Sequence, residues 1–344
     1  MISLVLPIYN VKTEYLKACF DSIRQQSYRD FEALMVDDGS DPFVAVVCAE
    51  YATWDPRFRY LRQENAGVCA ARNAGLNAAS GTYVCFIDPD DWLSERYLEV
   101  LHRAINDEDA DMAMVDSMIH YKNRTVENHF LNSGTAVLQD GGKNRLLYRL
   151  FSRTICDYYP PEIPAGTAWA KIFRTEFLRE NGLRFLPGLK RMEDILFCMY
   201  AYEAAGSIAY RPECLYHYRV SGDSVSHRYD PEVIQTFETF FQEAKRFLDI
   251  NEKERLLYDA LAMRELTAVH SYLRFYYFRD RNKTPQEVNR EIDALLMREP
   301  YLSALQQMNP KLLSKTEFVF VSALRKRQYG LLRALVKGRE LVKR

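Results

Sequence analysis

The first hundred residues alternate short apolar runs with helical spacing. Residues 2–7 form a β-branched apolar run that stops at Pro7, and residues 31–36 form a second one, ended by Asp37-Asp38-Gly39-Ser40. Between them, residues 14–26 carry Tyr15, Leu16, Cys19 and Ile23 at helical spacing. Residues 44–51 predict a helix, 58–62 a short strand, and 68–79 an Ala-rich helix with Gly81 as its closing glycine. Residues 83–87 predict another strand. Continuous apolar strands joined by helices predict a mostly parallel sheet covered on both faces. Ligands bind beyond the carboxyl ends of such strands, so polar residues at those ends are the candidates for chemistry.

From about residue 111 the rhythm changes. Residues 112–115 predict one more strand, and 117–132 an excursion turning at Tyr121-Lys122-Asn123-Arg124. Residues 158–167 are a Pro-rich loop; residues 175–181 and 193–205 predict helices closed by Gly182 and Gly206. Beyond residue 228 the pattern is almost wholly helical, with breaks near Pro285 and Pro300. The expected division is therefore an α/β domain over 1–228 and a helical region over 229–344.

Composition narrows the class. Hydrophobic residues make up 48% and charged residues 27% of 344, which excludes wholesale disorder. A balance of 46 Lys+Arg against 47 Asp+Glu leaves no global basic field, so no nucleic-acid partner is expected. The seven cysteines are scattered without a C-x-x-C pair, which argues against a zinc or disulfide framework and for a reducing compartment. Residues 1–10 lack the basic region and cleavage site of a signal peptide, and no apolar stretch reaches a membrane span. The chain reads as cytoplasmic, with contact to the inner face of the membrane as an option.

Three acidic groups stand at predicted element ends. Asp88 and Asp90, in Asp88-Pro89-Asp90-Asp91, suit a hard divalent cation with oxygen ligands, Mn2+ or Mg2+. A turn with a helix cap is the competing explanation. Asp37-Asp38 is either a cap and turn or an acceptor for a base N–H or ribose hydroxyls. Glu193-Asp194 is either a helix start favoured by the dipole or a general base on a rigid element. The turn after the first strand, Pro7-Ile8-Tyr9-Asn10, has no glycine, which excludes a dinucleotide-binding fingerprint; no phosphate loop or nucleophile elbow occurs either. Bound phosphates would then need a metal and arginines, with Arg72, Arg219 and His217 as candidates.

Together these motifs resemble the family-2 glycosyltransferases of the GT-A fold. The resemblance rests on Val5-Leu6-Pro7-Ile8-Tyr9-Asn10, Val36-Asp37-Asp38-Gly39-Ser40, Asn65-Ala66-Gly67, Ala71-Arg72-Asn73-Ala74-Gly75 and Phe86-Ile87-Asp88-Pro89-Asp90-Asp91-Trp92. Trp169-Ala170-Lys171-Ile172-Phe173 and Glu193-Asp194-Ile195-Leu196-Phe197 extend it toward the acceptor side, so it covers about residues 1–228. It implies a Rossmann-like, mostly parallel central sheet flanked by helices, with nucleotide-sugar binding over 1–115 and an acceptor side over 116–228. It also implies roles. Pro7 and Tyr9 line the base pocket, Asp38 accepts a base N–H, and Arg72 approaches base or phosphates. Asp88 and Asp90 hold sugar and metal, Asp194 is the base, and Glu193 orients it or the acceptor. His217 completes the metal or diphosphate site unless it is an ordinary strand-edge histidine, and Arg219 serves the diphosphate. Ser224, Ser226 and His227 belong to a segment able to close over the diphosphate, and Trp92 and Trp169 either stack on sugars or pack. The implied reaction is inverting transfer from a nucleotide-diphosphate sugar, a UDP-sugar in particular, to a glycan or lipid-linked hydroxyl in cell-surface polysaccharide synthesis. A nucleotidyltransferase acting on a sugar phosphate and a non-catalytic nucleotide-sugar-binding protein are the alternatives.

Residues 325–344 carry eight basic side chains against Glu340 alone, with Leu331, Leu332, Leu335, Val336 and Val342 at helical spacing. A basic amphipathic helix suits an anionic membrane surface; a helix packed on the catalytic domain with a solvated basic face fits equally.

Overall fold

In the computed structural model, residues 1–152, 162–220, 232–280 and 282–342 are described. Strand β1 (Ile2–Ile8) is buried along its whole length, as an apolar run with a neighbour on each side should be. Those neighbours are β2 (Phe31–Asp37) and β4 (Tyr83–Phe86), both parallel to it, and β3 (Phe58–Arg62) continues the parallel array beyond β2. Helices α1 (Thr13–Arg24), α2 (Pro42–Trp54) and α3 (Val68–Ala78) make the crossovers. Helix α3 lies close on the sheet because Gly75 has no side chain: a Cβ there would sit 2.3 Å from Val5 Cγ1.

Past β5 (Trp92–Leu93) and helix α4 (Tyr97–Asp107), the sheet becomes mixed. Its order is β3-β2-β1-β4-β9-β6-β10-β5, with β6 spanning Met112–His120, β9 Lys171–Arg174 and β10 Ile208–Arg219. Strand β9 runs antiparallel to both β4 and β6, while β6 and β10 are parallel. The parallel expectation thus holds for the first four strands, and the antiparallel β9 makes the second half mixed. The excursion after β6 is a hairpin with β7 (Thr125–Asn128), closed by the Tyr121 N–H to Arg124 carbonyl bond. Strand β8 (Ala136–Leu138) borders β10, and helices α5 (Asp140–Phe151), α6 (Thr175–Glu180) and α7 (Glu193–Ala204) follow the strands.

Two of the expected closing glycines do not close a helix. Gly81 and Gly206 are absent from the left-handed residues, and α3 and α7 end in extended Ala79 and Ala205. Gly81 is instead a close approach, where a Cβ would lie 2.8 Å from the Ser3 nitrogen. Gly182, with φ 60, does close α6.

One proline ends the β1–β4 ladder. The β1–β4 ladder ends at Val5 opposite Phe86, followed by the Ile87 N–H bond to the Val5 carbonyl. Its next bond would need a donor at residue 7, and Pro7 has none. The ladder stops there, at the point where the chain order switches sides of β1.

The chain divides into two compact units, 1–146 with 159–228, and 147–158 with 229–344. The expected boundary near 230 falls among residues outside the described ones. The second unit contains α8 (Val233–Ile250), α9 (Arg255–Phe275), α10 (Pro285–Leu296), α11 (Tyr301–Gln307), α12 (Lys315–Arg325) and α13 (Tyr329–Val342). Capping boxes start α10 (Thr284 with Glu287) and α12 (Ser314 with Glu317). Leu332 and Val336 of α13 are buried in this unit, Arg325 donates to the Leu305 and Met308 carbonyls, and Arg327 pairs with Asp293. The Arg333 guanidinium lies 4.3 Å from the Phe278 ring. Leu332 and Val336 are thus packed within the helical unit itself, a partner that neither expectation for 325–344 named; side chains beyond 338 are outside the described ones. Among the described residues, no helix is long and apolar enough to cross a membrane.

Candidate active site

The turn after β2 is built by its own carboxylates. Asp37 is fully buried and accepts from Ser40 N–H at 2.8 Å, Tyr60 Oη at 2.6 Å and Arg62 Nη1 at 2.7 Å. Burial would raise its carboxyl, but those donors win and hold it below the usual range. Asp38 accepts four bonds from the segment leading into α3: Gln63 Nε2, Asn65 Nδ2, and the backbone N–H groups of Ala66 and Gly67. Gly39 makes this possible at φ 80, where a Cβ would also sit 3.0 Å from the Asn65 nitrogen. A carboxylate has about four lone-pair sites, so the acceptor capacity expected to serve a base N–H is spent on residues 63–67.

The turn after β4 separates three aspartates. Asp91 is fully buried, takes the Tyr216 hydroxyl at 2.8 Å and the Arg219 N–H at 2.7 Å, and so pins the end of β10. Burial, with Asp90 and Asp88 nearby, holds it well above the carboxylate range. Asp88 receives Arg72 Nη2 at 3.0 Å, yet burial still lifts it to about 6. Asp90 is also raised by burial and makes no ion pair among the described residues. Arg219 donates from Nε to the Asp90 carbonyl at 2.9 Å and lies over the Tyr15 and Trp92 rings at 4.4 and 4.5 Å. It clamps the turn by its backbone.

His217 goes elsewhere. Its Nε2 lies 2.8 Å from Ser94 Oγ, its Nδ1 lies 2.9 Å from His120 Nε2, and its ring stacks on Trp92. Burial and His120 push it down to about 4. With both nitrogens engaged, it does not join Asp88 and Asp90. Trp92 packs on these histidines, and Trp169, buried, stacks on Tyr216 at 4.5 Å, which supports packing over sugar stacking for both.

Arg72 is the hub. It is 3% exposed, and α3 carries it to three carboxylates: Asp88, Glu193 at 3.2 Å, and Asp194 at 2.5 Å. Its guanidinium also lies 5.0 Å from the Phe185 ring. The guanidinium expected to approach base or phosphates is tied here to these carboxylates. Asp194 takes the Ala168 N–H on its other oxygen at 3.2 Å. Burial and the Asp194 charge push the Glu193 carboxyl up to about 7, against the pull of Arg72.

A cavity of about 770 Å3 opens at these strand ends. Pro7, Tyr9, Asp38, Arg72, Asp88, Asp90 and Glu193 all line it. Tyr9 is 54% exposed at its mouth. Asp194, Arg219 and His217 are not in its lining. Lys190, in the loop before α7, is; in the sequence it stands out only as a neighbour of Glu193. Tyr216 carries no signal in the sequence either, although its place opposite Leu93 on β10 puts its hydroxyl on Asp91. Ser224, Ser226 and His227 lie outside the described residues.

Comparison with known proteins identifies the family and the fold. A model of the family described as glycosyl transferase family 2 matches residues 3–182. A Bacillus subtilis (strain 168) protein, EpsH, placed among glycosyltransferases by its name, is 30% identical over 73% of this chain and 70% of its own length. Glycosyltransferase GlyA of Streptococcus pneumoniae serotype 4 is 33% identical over 65% of this chain, but the match spans only 31% of GlyA. Among solved structures, S. aureus TarS 1–349 in complex with UDP-GlcNAc superposes with a TM-score of 0.67 at 20% identity, covering 99% of this chain and 91% of that one. The shared architecture is the expected α/β fold with a helical C-terminal region.

Proposed function

This chain belongs to glycosyl transferase family 2, and we propose that it moves a sugar from a nucleotide-diphosphate sugar to an acceptor hydroxyl with inversion. The observation that carries this reading is the 770 Å3 cavity at the ends of β1 and β4, lined by Asp90 and by Asp88 and Glu193, which Arg72 ties together. Family membership makes the chain a glycosyltransferase, which favours transfer over the nucleotidyltransferase alternative. The UDP-GlcNAc complex of TarS supports a UDP-sugar as donor. We place the acceptor among glycans or lipid-linked glycans of cell-surface polysaccharide synthesis.

Asp88 and Asp90 fit a divalent cation, Mn2+ or Mg2+. Both carboxylates face the cavity, both are raised by burial, and Asp90 makes no ion pair among the described residues. Such an ion, when bound, neutralises the diphosphate and stabilises the charge on the departing nucleotide. His217 is not among its ligands in this arrangement.

The chain's own residues do the rest. Pro7 and Tyr9 flank the base, while Asp38 fixes Asn65, Ala66 and Gly67, which also line the cavity. Arg219 fixes the backbone that presents Asp90. Arg72 holds Asp88 on the donor side and Asp194 on the base side in one geometry. Asp194 accepts the hydroxyl proton as the acceptor attacks, and Glu193 orients the hydroxyl from the cavity wall. The test is release of nucleoside diphosphate from a panel of nucleotide sugars, with Mn2+ or with EDTA. Release from one UDP-sugar that EDTA abolishes is the expected result. Release from none, with or without a mixed glycan acceptor, contradicts the reading.

A further inference from the structure

Asp116, His129 and Cys214 come from separate segments of the chain, yet their ligand atoms all lie within 4.8 Å of one another. We propose that Asp116, His129 and Cys214 form a second metal site, selective for a soft divalent cation such as Zn2+ and independent of the donor cavity.

The donor set points to such an ion. One thiol, one imidazole and one carboxylate match the ligands zinc takes, and hard cations avoid sulfur. Ligand atoms around one zinc sit roughly 3.3–3.8 Å apart, from the usual bond lengths. The partially exposed His129 ring supplies the small movement needed; its side chain is 45% exposed, whereas Asp116 is fully buried.

The backbone brings Cys214 and Asp116 side by side. Strand β10 pairs with β6 in parallel, but its register breaks on both sides of Cys214, between Arg211 and Cys214 and again between Cys214 and Tyr216. These breaks leave Cys214 opposite Asp116. Bulges are costly interruptions that re-aim a side chain, and they are rare in parallel pairs.

The outer layer is also in place. Asp116 is held by the Phe130 N–H at 2.8 Å and the Tyr210 hydroxyl at 2.6 Å. One nitrogen of His129 lies 2.6 Å from Asp116 and the other 3.2 Å from Glu127. Metal-bound histidines typically engage a carboxylate through the second nitrogen in this way. Ion binding would displace the Cys214 thiol proton and the proton shared by His129 and Asp116, both to solvent. C-x-x-C spacing does not reveal such a site, because its ligands are 13 and 85 or more residues apart and meet only in the sheet.

Cobalt(II) titration of the full chain tests this, because a sulfur-to-cobalt charge-transfer band reports thiolate ligation and is blind to the all-oxygen Asp88–Asp90 pair. The expected result is a near-ultraviolet band saturating at about one equivalent, displaced by Zn2+, with a zinc-dependent rise in Tm. Cys214→Ser and His129→Ala should both lose the band and the Tm rise, while Asp90→Ala keeps them. Absence of the band in the wild type, or its survival in Cys214→Ser or in His129→Ala, overturns the proposal. His129 is half-exposed, so its variant remains informative if the Cys214 variant fails to fold.

Discussion

Arg72 Nη1 lies 2.5 Å from Asp194 Oδ1, although the two residues are 122 positions apart. The same guanidinium reaches Asp88 through its other nitrogen. One side chain thereby couples the donor carboxylate to the base, and a rigid distance between them is what in-line transfer requires. Removing one partner from a buried charge cluster costs roughly 3–5 kcal/mol. Arg72→Met should therefore lower Tm and reduce transfer at least ~100-fold. The loss has a pH signature. Asp88 and Glu193 are already raised, so their charged forms oppose folding as pH rises, and without Arg72 they oppose it more. The Tm deficit should be larger at pH 8 than at pH 5.5; equal deficits would refute this role for Arg72.

Asp194→Asn should cut transfer by about 10²-fold or more, the usual worth of a general base, while UDP affinity stays within a few-fold. Single-turnover rates and calorimetry on the same sample check both halves. Undiminished transfer removes Asp194 from the mechanism.

Glu193 gives a rate profile. Its carboxyl sits near 7, so it loses its proton as pH rises through that value. If its charged form orients the acceptor, kcat/KM climbs through about pH 7 in the wild type. Glu193→Gln should flatten that limb, and an unchanged limb would assign it to another group.

Glu265, on α9, offers a test away from the site. It is buried, and desolvation with some repulsion from Glu299 pushes it up to about 8. A carboxyl raised in the fold binds its proton more tightly there than in the unfolded chain. Wild-type stability should then fall as pH rises from about 4.5, its ordinary value, to 8. A tenfold difference in proton affinity between fold and unfolded chain is worth ~1.4 kcal/mol, so Glu265→Gln should raise Tm by several degrees at about pH 9 and change it little at about pH 5. Thermal melts at the two pH values decide this; a gain at the acid value alone would contradict it.

Much of the site was legible because strand-end acids are sequence-local. The runs at 2–7, 31–36 and 83–87 end in Pro7, Asp37-Asp38 and Asp88, and the fold places all three ends at one cavity. What each side chain does there was not legible, because the partners are remote. Asp38 is satisfied by residues 63–67, a segment whose path depends on Gly39. Arg72 has the pattern of a phosphate ligand until α7 supplies Glu193 and Asp194 beside it. His217 is claimed by Ser94 and His120, which only the β5–β10–β6 order brings to it. Gly81 lies where a helix-ending glycine belongs, but the demand on it comes from Ser3. The basic tail shows the same limit: an amphipathic pattern does not say whether lipid or α9 and its neighbours cover the apolar face, and Leu332 and Val336 are covered by protein.

Calorimetric titration of UDP into the full chain, with Mn2+ and with EDTA, for the wild type and Asp90→Ala, tests the donor-site assignment without an acceptor in hand. Asp90 makes no ion pair among the described residues, so its removal should leave Tm within about 1 °C, as for other substitutions without structural partners. Mn2+ should tighten UDP binding at least ~10-fold in the wild type and have no effect in Asp90→Ala. Equal affinity with and without metal, or an undiminished metal effect in Asp90→Ala, would contradict the assignment of this cavity as the donor site.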